Sequence, residues 1–444
     1  MALHKRYPSY KSTSDAWFGE APSHWDELPN RAFLKIHKDV VGDKSSDLDL
    51  LSLTLRGIVW RDKDSGEGKF PESFDGYQHV AIGDLVFCLF DMDETPRTVG
   101  LSQYSGMITS AYTVMRPSER AYSKYVYYYY LNHDTQKSLK PYYSGLRKVV
   151  TKDIFKSIKV SLPPYEEQVC IANFLDREIS KIDELINKQE KLIALIGEQK
   201  NSLITEVLTK GLNKKTDLMG SGNRFVREIP LNWAMRPLKY CLKANRGALR
   251  TGPFGSELTA KDILDEGDIK IYNQRTVIDN DFSGGENFIT REKYENLKSF
   301  EVSPGDILVT SRGTIGRASI VPKSIKKGVL HPCLIRMQID ENILLPEYLV
   351  LAMNESNLLI NQLAFLSNST TIEVIYSYTL ANIVLPIPPL SEQIEILSFA
   401  NKKIDEIKAL KDKAICSVNL LKEHRGSLIS AAVTGKIDVR EMAL

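Results

Sequence analysis

One stretch of this chain is present twice. The segment LPPYEEQVCIANFLDREISKIDELINKQEKLIALIGEQKNSLITEVLTKGL, Leu162–Leu212, returns from Ile387 as IPPLSEQIEILSFANKKIDEIKAL and runs on to Val439. From Pro163/Pro388 to Thr209/Thr434 the two copies align without a gap at a constant offset of 225. Glu167/Glu392, Gln168/Gln393, Ile171/Ile396, Phe174/Phe399, Ile179/Ile404, Ile182/Ile407, Leu185/Leu410, Glu198/Glu423, Ser202/Ser427, Leu203/Leu428 and Ile204/Ile429 are identical across it. So many matches at one offset mark a duplicated unit, and whatever fold accommodates one copy must accommodate the other.

The repeated unit reads as a long helix with a coiled-coil seam. Leu175, Ile179, Ile182, Ile186, Gln189, Ile193, Ile196, Lys200, Leu203 and Val207 recur with alternating steps of four and three, the heptad spacing that keeps one stripe facing a partner helix. The second copy places Ala400, Ile404, Ile407, Lys411, Ala414, Val418, Leu421, Arg425, Leu428 and Ala432 in the same slots. Lys200 and Arg425 are equivalent, and a polar group in a seam sacrifices some stability to fix register and partner choice. Two prolines open each helix, where a missing N–H costs nothing, with Glu166, Glu167 and Glu392 at the positive end of the dipole. Gly211 and Gly435 close them. Each helix spans on the order of 60 Å at its rise per residue, and a seam that long needs a partner, the cheapest being its own copy.

The duplication extends beyond the helices. Pro22, Trp25 and Pro29 in APSHWDELP match Pro230, Trp233 and Pro237 in IPLNWAMRP. GDLVF at Gly83–Phe87 parallels GDILV at Gly305–Val309, and Gly106–Met115 parallels Gly328–Met337, both at an offset of 222. A period of half the chain is too long for a solenoid and means two copies of a domain-plus-helix module. The order is then a first module over residues 1–161, a helix over 162–212, a polar linker over 213–223, a second module over 224–386, and a second helix with tail over 387–444. The fold class is mixed, α/β in the broad sense (α+β), with two β-rich globular domains separated by the helix pair and an internal pseudo-two-fold repeat.

Within the first module LLSLTLRGIV and HVAIGDLVFCLF read as strands and DMDETPRTVG as a loop. The tyrosines of SKYVYYYYLN could stack on bases, but the counterpart PEYLVLAMNE is an amphipathic helix over a sheet, so core packing is the better reading. Lys137, Lys140, Arg147, Lys148, Lys152, Lys156 and Lys159 around Tyr142 and Tyr143 have the makings of a phosphate-contacting strip, or of an ordinary solvated face. In the second module TGPFGSEL at Thr251–Leu258 precedes the strand IKIYNQRTV, and SRGTIGR at Ser311–Arg317 follows the strand GDILVT. Glycines let a backbone approach a ligand closely, and an arginine on such a turn can reach a guanine edge or simply decorate a hairpin.

Signs of catalysis are few. LPPY at Leu162–Tyr165 lacks the side chain by which the [DN]PP[YF] motif of amino-methyltransferases holds its target amine, and its copy IPPL lacks the aromatic as well. There is no P-loop and no dinucleotide turn. The seven histidines form no HxxxH or HExxH pair, so no metal site is expected. Glu67 and Lys69 downstream of Asp62 resemble a nuclease fragment, but the spacing is too short for two adjacent strands. Five separated cysteines without zinc spacing suit a reducing cytosol, and the N-terminus has no hydrophobic leader, so a cytoplasmic protein that does not enter a membrane is expected. A net charge of +2 neither favours nor opposes a nucleic-acid partner.

PPYEEQ at Pro163–Gln168, PPLSEQ at Pro388–Gln393, the tails SLITEVLTKG and SLISAAVTGK, the string TGPFGS and the lead-ins with Trp25 and Trp233 together make the whole chain resemble a specificity subunit of a type I DNA restriction-modification system. The resemblance implies a non-catalytic reader of double-stranded DNA. Each module would be a target-recognition domain for one half of a bipartite, asymmetric site, and the helices, packed as an antiparallel coiled coil, would be the spacer, with Leu175, Ile179, Ile182, Ile186, Ile193, Ile196, Leu203, Ile404, Ile407, Val418, Leu421 and Leu428 as its seam. It implies two modification subunits that methylate adenine and restriction subunits that cleave. S-adenosylmethionine, ATP and magnesium would be on those partners, and this chain would hold no cofactor. Candidate DNA contacts are Thr251, Gly252, Phe254, Gly255, Ser256, Gln274, Arg275, Ser311, Arg312, Thr314 and Arg317 in the second module, and Tyr104, Arg147 and Lys148 in the first. The first module has no TGPFGS counterpart, and its loops around Arg97, Tyr104 and Ser110 differ, so base contacts do not transfer residue by residue. A self-contained endonuclease built on Glu67 and Lys69, or a coiled-coil adaptor that binds no DNA, are the competing readings.

Overall fold

The computed structural model describes residues 5–14, 19–63, 71, 73–285, 287–366 and 374–442. It divides into two compact units, Met1–Glu190 with Ile415–Leu444, and Lys191–Ala414. Glu67 and Lys69 lie outside the described residues.

The first unit is built on a four-stranded antiparallel sheet. Its strands are β1 (Leu34–Ile36), β2 (Leu85–Phe87), β3 (Val99–Leu101) and β4 (Thr113–Pro117), in the order β1-β4-β2-β3. The Gly83-Asp84 pair starts β2 for a physical reason. Gly83 takes φ 88°, the Asp84 N–H donates to the Ala81 carbonyl at 3.1 Å, and the Asp84 carboxylate accepts from the Ala81 N–H at 2.9 Å. Arg116 of β4 then clamps that carboxylate at 2.7 and 2.9 Å. Helix α1 (Ser123–Gln136) follows the sheet and buries Tyr125, Tyr129 and Tyr130. Tyr125 donates to the carbonyls of Ser161 and Val433, so these rings are core and not an aromatic platform for bases. The long helix α2 (Tyr165–Lys210) begins in this unit.

The second unit repeats the plan. Its sheet has β5 (Leu249–Thr251), β6 (Ile307–Thr310), β7 (Ala318–Ile320) and β8 (Leu334–Met337) in the order β5-β8-β6-β7. Leu85 opposes Met115, and Ile307 opposes Met337, which is the 222 offset expressed as strand register. Gly305 has φ 84°, and Asp306 accepts from the Ser303 N–H at 2.9 Å. Helix α3 (Pro346–Asn354) takes the place of α1, with Tyr348 donating to Leu208 and Pro386 carbonyls as Tyr125 does to Val433 and Ser161. The last long helix is α4 (Leu390–Val433).

The units diverge in the segments inserted before the second sheet strand. Gln78–Val80 pairs antiparallel with Gly106–Ile108, whereas Ile269–Tyr272 pairs parallel with Gly328–Leu330. The polar stretch 213–223 also holds a strand, Leu218–Gly220, paired with Glu228–Pro230 just as Tyr10–Ser12 pairs with Glu20–Pro22.

The helix openings are the most faithfully repeated part. Glu167 accepts from the Trp25 indole at 2.9 Å and from Tyr7 at 2.6 Å, and lies 2.8 Å from His24 Nε2. Glu392 accepts from the Trp233 indole at 2.8 Å and from Asn232 at 2.5 Å. The residue after each glutamate is a fully buried glutamine. Gln168 accepts from the Tyr122 N–H and donates to the Arg120 and Pro163 carbonyls, and Gln393 accepts from Leu345 and donates to Ile343 and Pro388. Each tryptophan also meets the end of a long helix. Gly435, at φ 69°, packs on Pro22 and Trp25, and Gly211, at φ 72°, on Trp233. Left-handed backbone and close packing both call for glycine there. Trp25 therefore ties the start of α2 to the end of α4, and Trp233 ties the start of α4 to the end of α2.

Each unit contains one half of each long helix, and the pairing is antiparallel. In the first unit Asp183 meets Arg425 at 2.9 Å and Glu190 meets Lys422 at 3.4 Å, so the α4 number falls as the α2 number rises. In the second, Ile204, Val207 and Leu208 share a core with Ile396 and Ala400. Leu175, Ile179, Ile182, Ile186, Val418 and Leu428 are buried, Ile193, Ile196, Leu203, Ile404, Ile407 and Leu421 are half-buried, and Lys411 is exposed. The equivalent polar slots act differently. Arg425 pairs across the seam, but Lys200 turns to Glu355 beside α3. The residue equivalent to Asp183 is Lys408, so an inward Lys200 would have met a like charge.

Among the described residues no helix is long and apolar enough to cross a membrane.

Candidate nucleic-acid interface

In the second unit four segments converge at one end of the sheet. The first is TGPFGS, leaving β5. Gly252 donates to the Leu334 carbonyl at 2.8 Å, and a Cβ there would run into the carbonyl oxygen of His331 and the Cα of Pro332. Only glycine lets this loop lie flush on the turn 331–333. The loop then closes on itself, the Phe254 N–H donating to Glu257 Oε2 and the Glu257 N–H to the Phe254 carbonyl, both at 2.8 Å. This rigid turn holds the Phe254 ring 80% exposed, with Gly255 and Ser256 also at the surface.

The second segment is the turn itself. His331 donates its N–H to the Tyr272 carbonyl at 2.9 Å, and its Nδ1 accepts from the Cys333 N–H at 3.2 Å. An accepting Nδ1 requires a neutral ring, and burial pushes the His331 pKa down in the same direction. The third segment follows Tyr272. The sequence reading places Gln274 and Arg275 on a strand, but the strand ends at Tyr272 and they form the first turn of a short helix, Gln274–Ile278. The reason is Asn273, whose side chain accepts from the Thr276 N–H as an N-cap. Arg275 is exposed and pairs with Asp279 at 3.1 Å.

The fourth segment, SRGTIGR, closes the β6–β7 hairpin. The Thr310 N–H donates to the Arg317 carbonyl, the Gly316 N–H to Thr310, and the Ser311 N–H to Cys333. Ser311 is buried at the base, Thr314 is exposed, and the Gln274 amide reaches the Thr314 carbonyl at 3.5 Å. The two arginines part ways. Arg317 donates to the Asn354 carbonyl at the end of α3 at 3.1 Å, which makes it a helix cap. Arg312 is exposed and has no ion-pair partner among the described residues. The result is a polar face carrying a free guanidinium, an amide, hydroxyls and a projecting ring, the groups that read base edges and contact thymine methyls. Gly252→Ala is expected to destabilise the second unit by about 1–3 kcal/mol, the usual range for overpacking, measured by chemical denaturation; an unchanged midpoint would mean that the loop does not need to lie on His331.

The first unit is less simple. Tyr104 packs its ring against Trp60 at a centroid distance of 4.2 Å. Lys148 takes φ 46° in the exposed hairpin turn 145–148. Arg147 is held by both oxygens of Asp91, the closer at 2.6 Å, and lies over the Phe90 ring; the same pair holds the Asp91 carboxyl below its ordinary pKa. Other cations of the strip are paired as well, Lys137 with Asp134 at 3.0 Å, Lys140 with Asp93 at 3.3 Å and Lys156 with Asp153 at 3.6 Å. The cations are legible in the sequence; that the loop DMDETP folds against them is not.

Among the described residues no group of three or more histidine, cysteine, aspartate or glutamate side chains is placed to hold a metal ion.

Comparison with known proteins gives one consistent answer. The family described as Type I restriction modification DNA specificity domain matches residues 99–195 and 254–415, more than half of the chain. The MjaX specificity subunit of Methanocaldococcus jannaschii, named for a type I restriction enzyme, is 23% identical over 95% of this chain and 96% of its own length. The type I restriction enzyme MjaVIII specificity subunit of the same organism is 25% identical over 66% of this chain and 65% of its own. In fold the chain is similar to one from a structure describing complex assembly and conformational transition of the type I R-M system, with TM-score 0.67 and 14% identity over 93% of this chain and 98% of that one. It is also similar to the HsdS subunit of Thermoanaerobacter tengcongensis, with TM-score 0.50 and 14% identity over 94% and 98%. The duplicated sheets, the tryptophan-to-helix junctions and the family match over both modules lead to one conclusion: this chain belongs to the type I restriction-modification DNA specificity family.

Proposed function

We propose that this specificity chain reads a split, asymmetric DNA target, one half with each unit, while the antiparallel helices set the gap between the halves. The observation that carries this is the repeated junction. Each sheet domain is tied by a glutamate–tryptophan bond and a buried glutamine to the start of one long helix, and by a tryptophan on glycine to the end of the other. Such junctions suit a ruler better than flexible tethers would. Because the inserted segments differ in strand direction, the two halves read should differ. Two modification subunits would dock on the scaffold and methylate adenine with S-adenosylmethionine, and restriction subunits would supply ATP- and magnesium-dependent cleavage.

Co-expression with a methyltransferase subunit followed by methylome sequencing should give a bipartite adenine motif that depends on this chain; full methylation without it would overturn the reading. Arg312→Ala is expected to relax one or two positions in a single half-site, by roughly 10- to 100-fold in binding, the worth of a bidentate arginine–guanine contact. A uniform loss for all sequences would instead assign Arg312 to phosphate. Arg317→Ala should lower stability more than specificity, since its side chain caps α3.

A further inference from the structure

We propose that the first unit meets its half-site through the cleft around Lys38, Ser110 and Lys152, and not through Arg147 of the neighbouring hairpin that its sequence advertises. This rests on the split-target reading above, and three backbone correspondences locate the cleft. In the sheets, Ile36 opposes Met115 and Leu249 opposes Met337, so Lys38 and Asp39 leave the first sheet where Thr251 and Gly252 leave the second. Next, the turn 109–112 is closed by the Tyr112 N–H on the Thr109 carbonyl, as 331–334 is closed by Leu334 on His331; Ser110 therefore stands where Pro332 does. Finally, the Val150 N–H donates to Leu89 as the Ile375 N–H donates to Ser311, which brings Lys152 to the same rim.

These correspondences enclose a cavity of about 360 Å³ that Lys38, Gln78, Ser110, Tyr112 and Lys152 help to line. Gln78 braces its floor, its buried amide donating to the Thr109 and Tyr112 carbonyls at 3.1 and 2.8 Å. Charge favours the same place. Lys38 and Lys152 are exposed and, among the described residues, have no ion-pair partner, whereas Arg147 is held by Asp91. The nearest carboxylate on the exit strand, Asp39, faces His37 and His79 at 4.0 and 3.7 Å. A duplex phosphate strand is the ligand that suits two free ammonium groups flanking a polar turn, with the Ser110 hydroxyl at the base edges.

The test uses the full chain complexed with its methyltransferase subunit and a duplex carrying the motif found by methylome sequencing. Binding is measured against salt concentration. Lys38→Gln with Lys152→Gln should reduce the slope of log affinity on log salt by about 2, one unit per lost phosphate contact, and the double Lys→Arg variant should restore it. Ser110→Ala should relax bases in one half-site only, the half left intact by Arg312→Ala. Arg147→Gln should leave the slope unchanged. A slope unaltered by the double glutamine variant, or lost with Arg147→Gln instead, overturns the assignment while the split-target reading stands. A wild-type complex with no bipartite motif overturns both.

Discussion

Replacing Gln393 by leucine is expected to destabilise the second unit by about 3–5 kcal/mol. The side chain is 0% exposed and makes three bonds, accepting from the Leu345 N–H at 2.8 Å and donating to the carbonyls of Ile343 at 3.0 Å and Pro388 at 2.9 Å. Leucine has similar volume but no polar atom, so a buried donor and two buried acceptors lose their partner at about 1–3 kcal/mol each. Partial relaxation toward water holds the sum below the simple total, while remaining at the severe end of single substitutions. Gln168→Leu should match it in the first unit, where the corresponding bonds are 2.8, 2.9 and 2.8 Å. Tyr125→Phe, which removes only bonds of 3.3 and 3.4 Å, should cost no more than about 1.5 kcal/mol, the upper range for an ordinary hydrogen bond. Chemical denaturation monitored in each unit measures all three. A loss below 1 kcal/mol for either glutamine variant would show that water replaces the side chain and that the helix opening is not held by it.

That glutamine illustrates what a sequence discloses and what it conceals. Its position is evident as soon as PPYEEQ and PPLSEQ are aligned, because duplication exposes positions that two copies both keep. Its role is not evident, because its three partners lie on a loop some fifty positions upstream and on its own proline, and no local pattern encodes a contact of that kind. The helices are legible for a physical reason: the heptad seam needs only local spacing, and buried Leu175, Ile179, Ile182 and Ile186 follow it. The same holds for the turns at Gly83-Asp84 and Gly305-Asp306, where positive φ and a back-bonding aspartate are local chemistry. At the DNA face local reading falters. Arg312 and Arg317 look alike in SRGTIGR, yet one has no ion-pair partner among the described residues and the other caps α3. Arg147 and Lys148 stand out in a basic run, while Asp91 and Asp93, which meet Arg147 and Lys140, come from a loop far away in the chain. Gln274 and Arg275 are assigned to a strand because Asn273, read as one more strand residue, is in fact an N-cap. Lys152 is one cation among seven in that basic run and Lys38 attracts no notice in sequence, and only strand register brings the two together.

The largest functional effect is expected from lengthening the helix pair. A seven-residue insertion repeats the seam without changing which face it presents, so one heptad after Glu190 in α2 and one after Ile415 in α4, equivalent positions at the 225 offset, should leave both sheet domains and both tryptophan junctions intact. Each helix gains about 10 Å, equivalent to about three base pairs at 3.4 Å of rise per nucleotide along a strand. The gap in the methylation motif should therefore grow by about three base pairs with both half-sites unchanged, or modification should be lost because about three base pairs also rotate one half-site by roughly a third of a helical turn relative to the other. Methylome sequencing separates these outcomes, and the denaturation midpoint of each unit shows whether the domains survived. Inserting the heptad in α2 alone is the informative control. It would shift Asp183 from Arg425 or break the register of Ile204 and Val207 with the start of α4, and should destabilise the pair where the double insertion does not. A motif with its original gap after the double insertion would mean that the spacing is set by the modification subunits or by the DNA itself, and the helices would lose their role as a ruler.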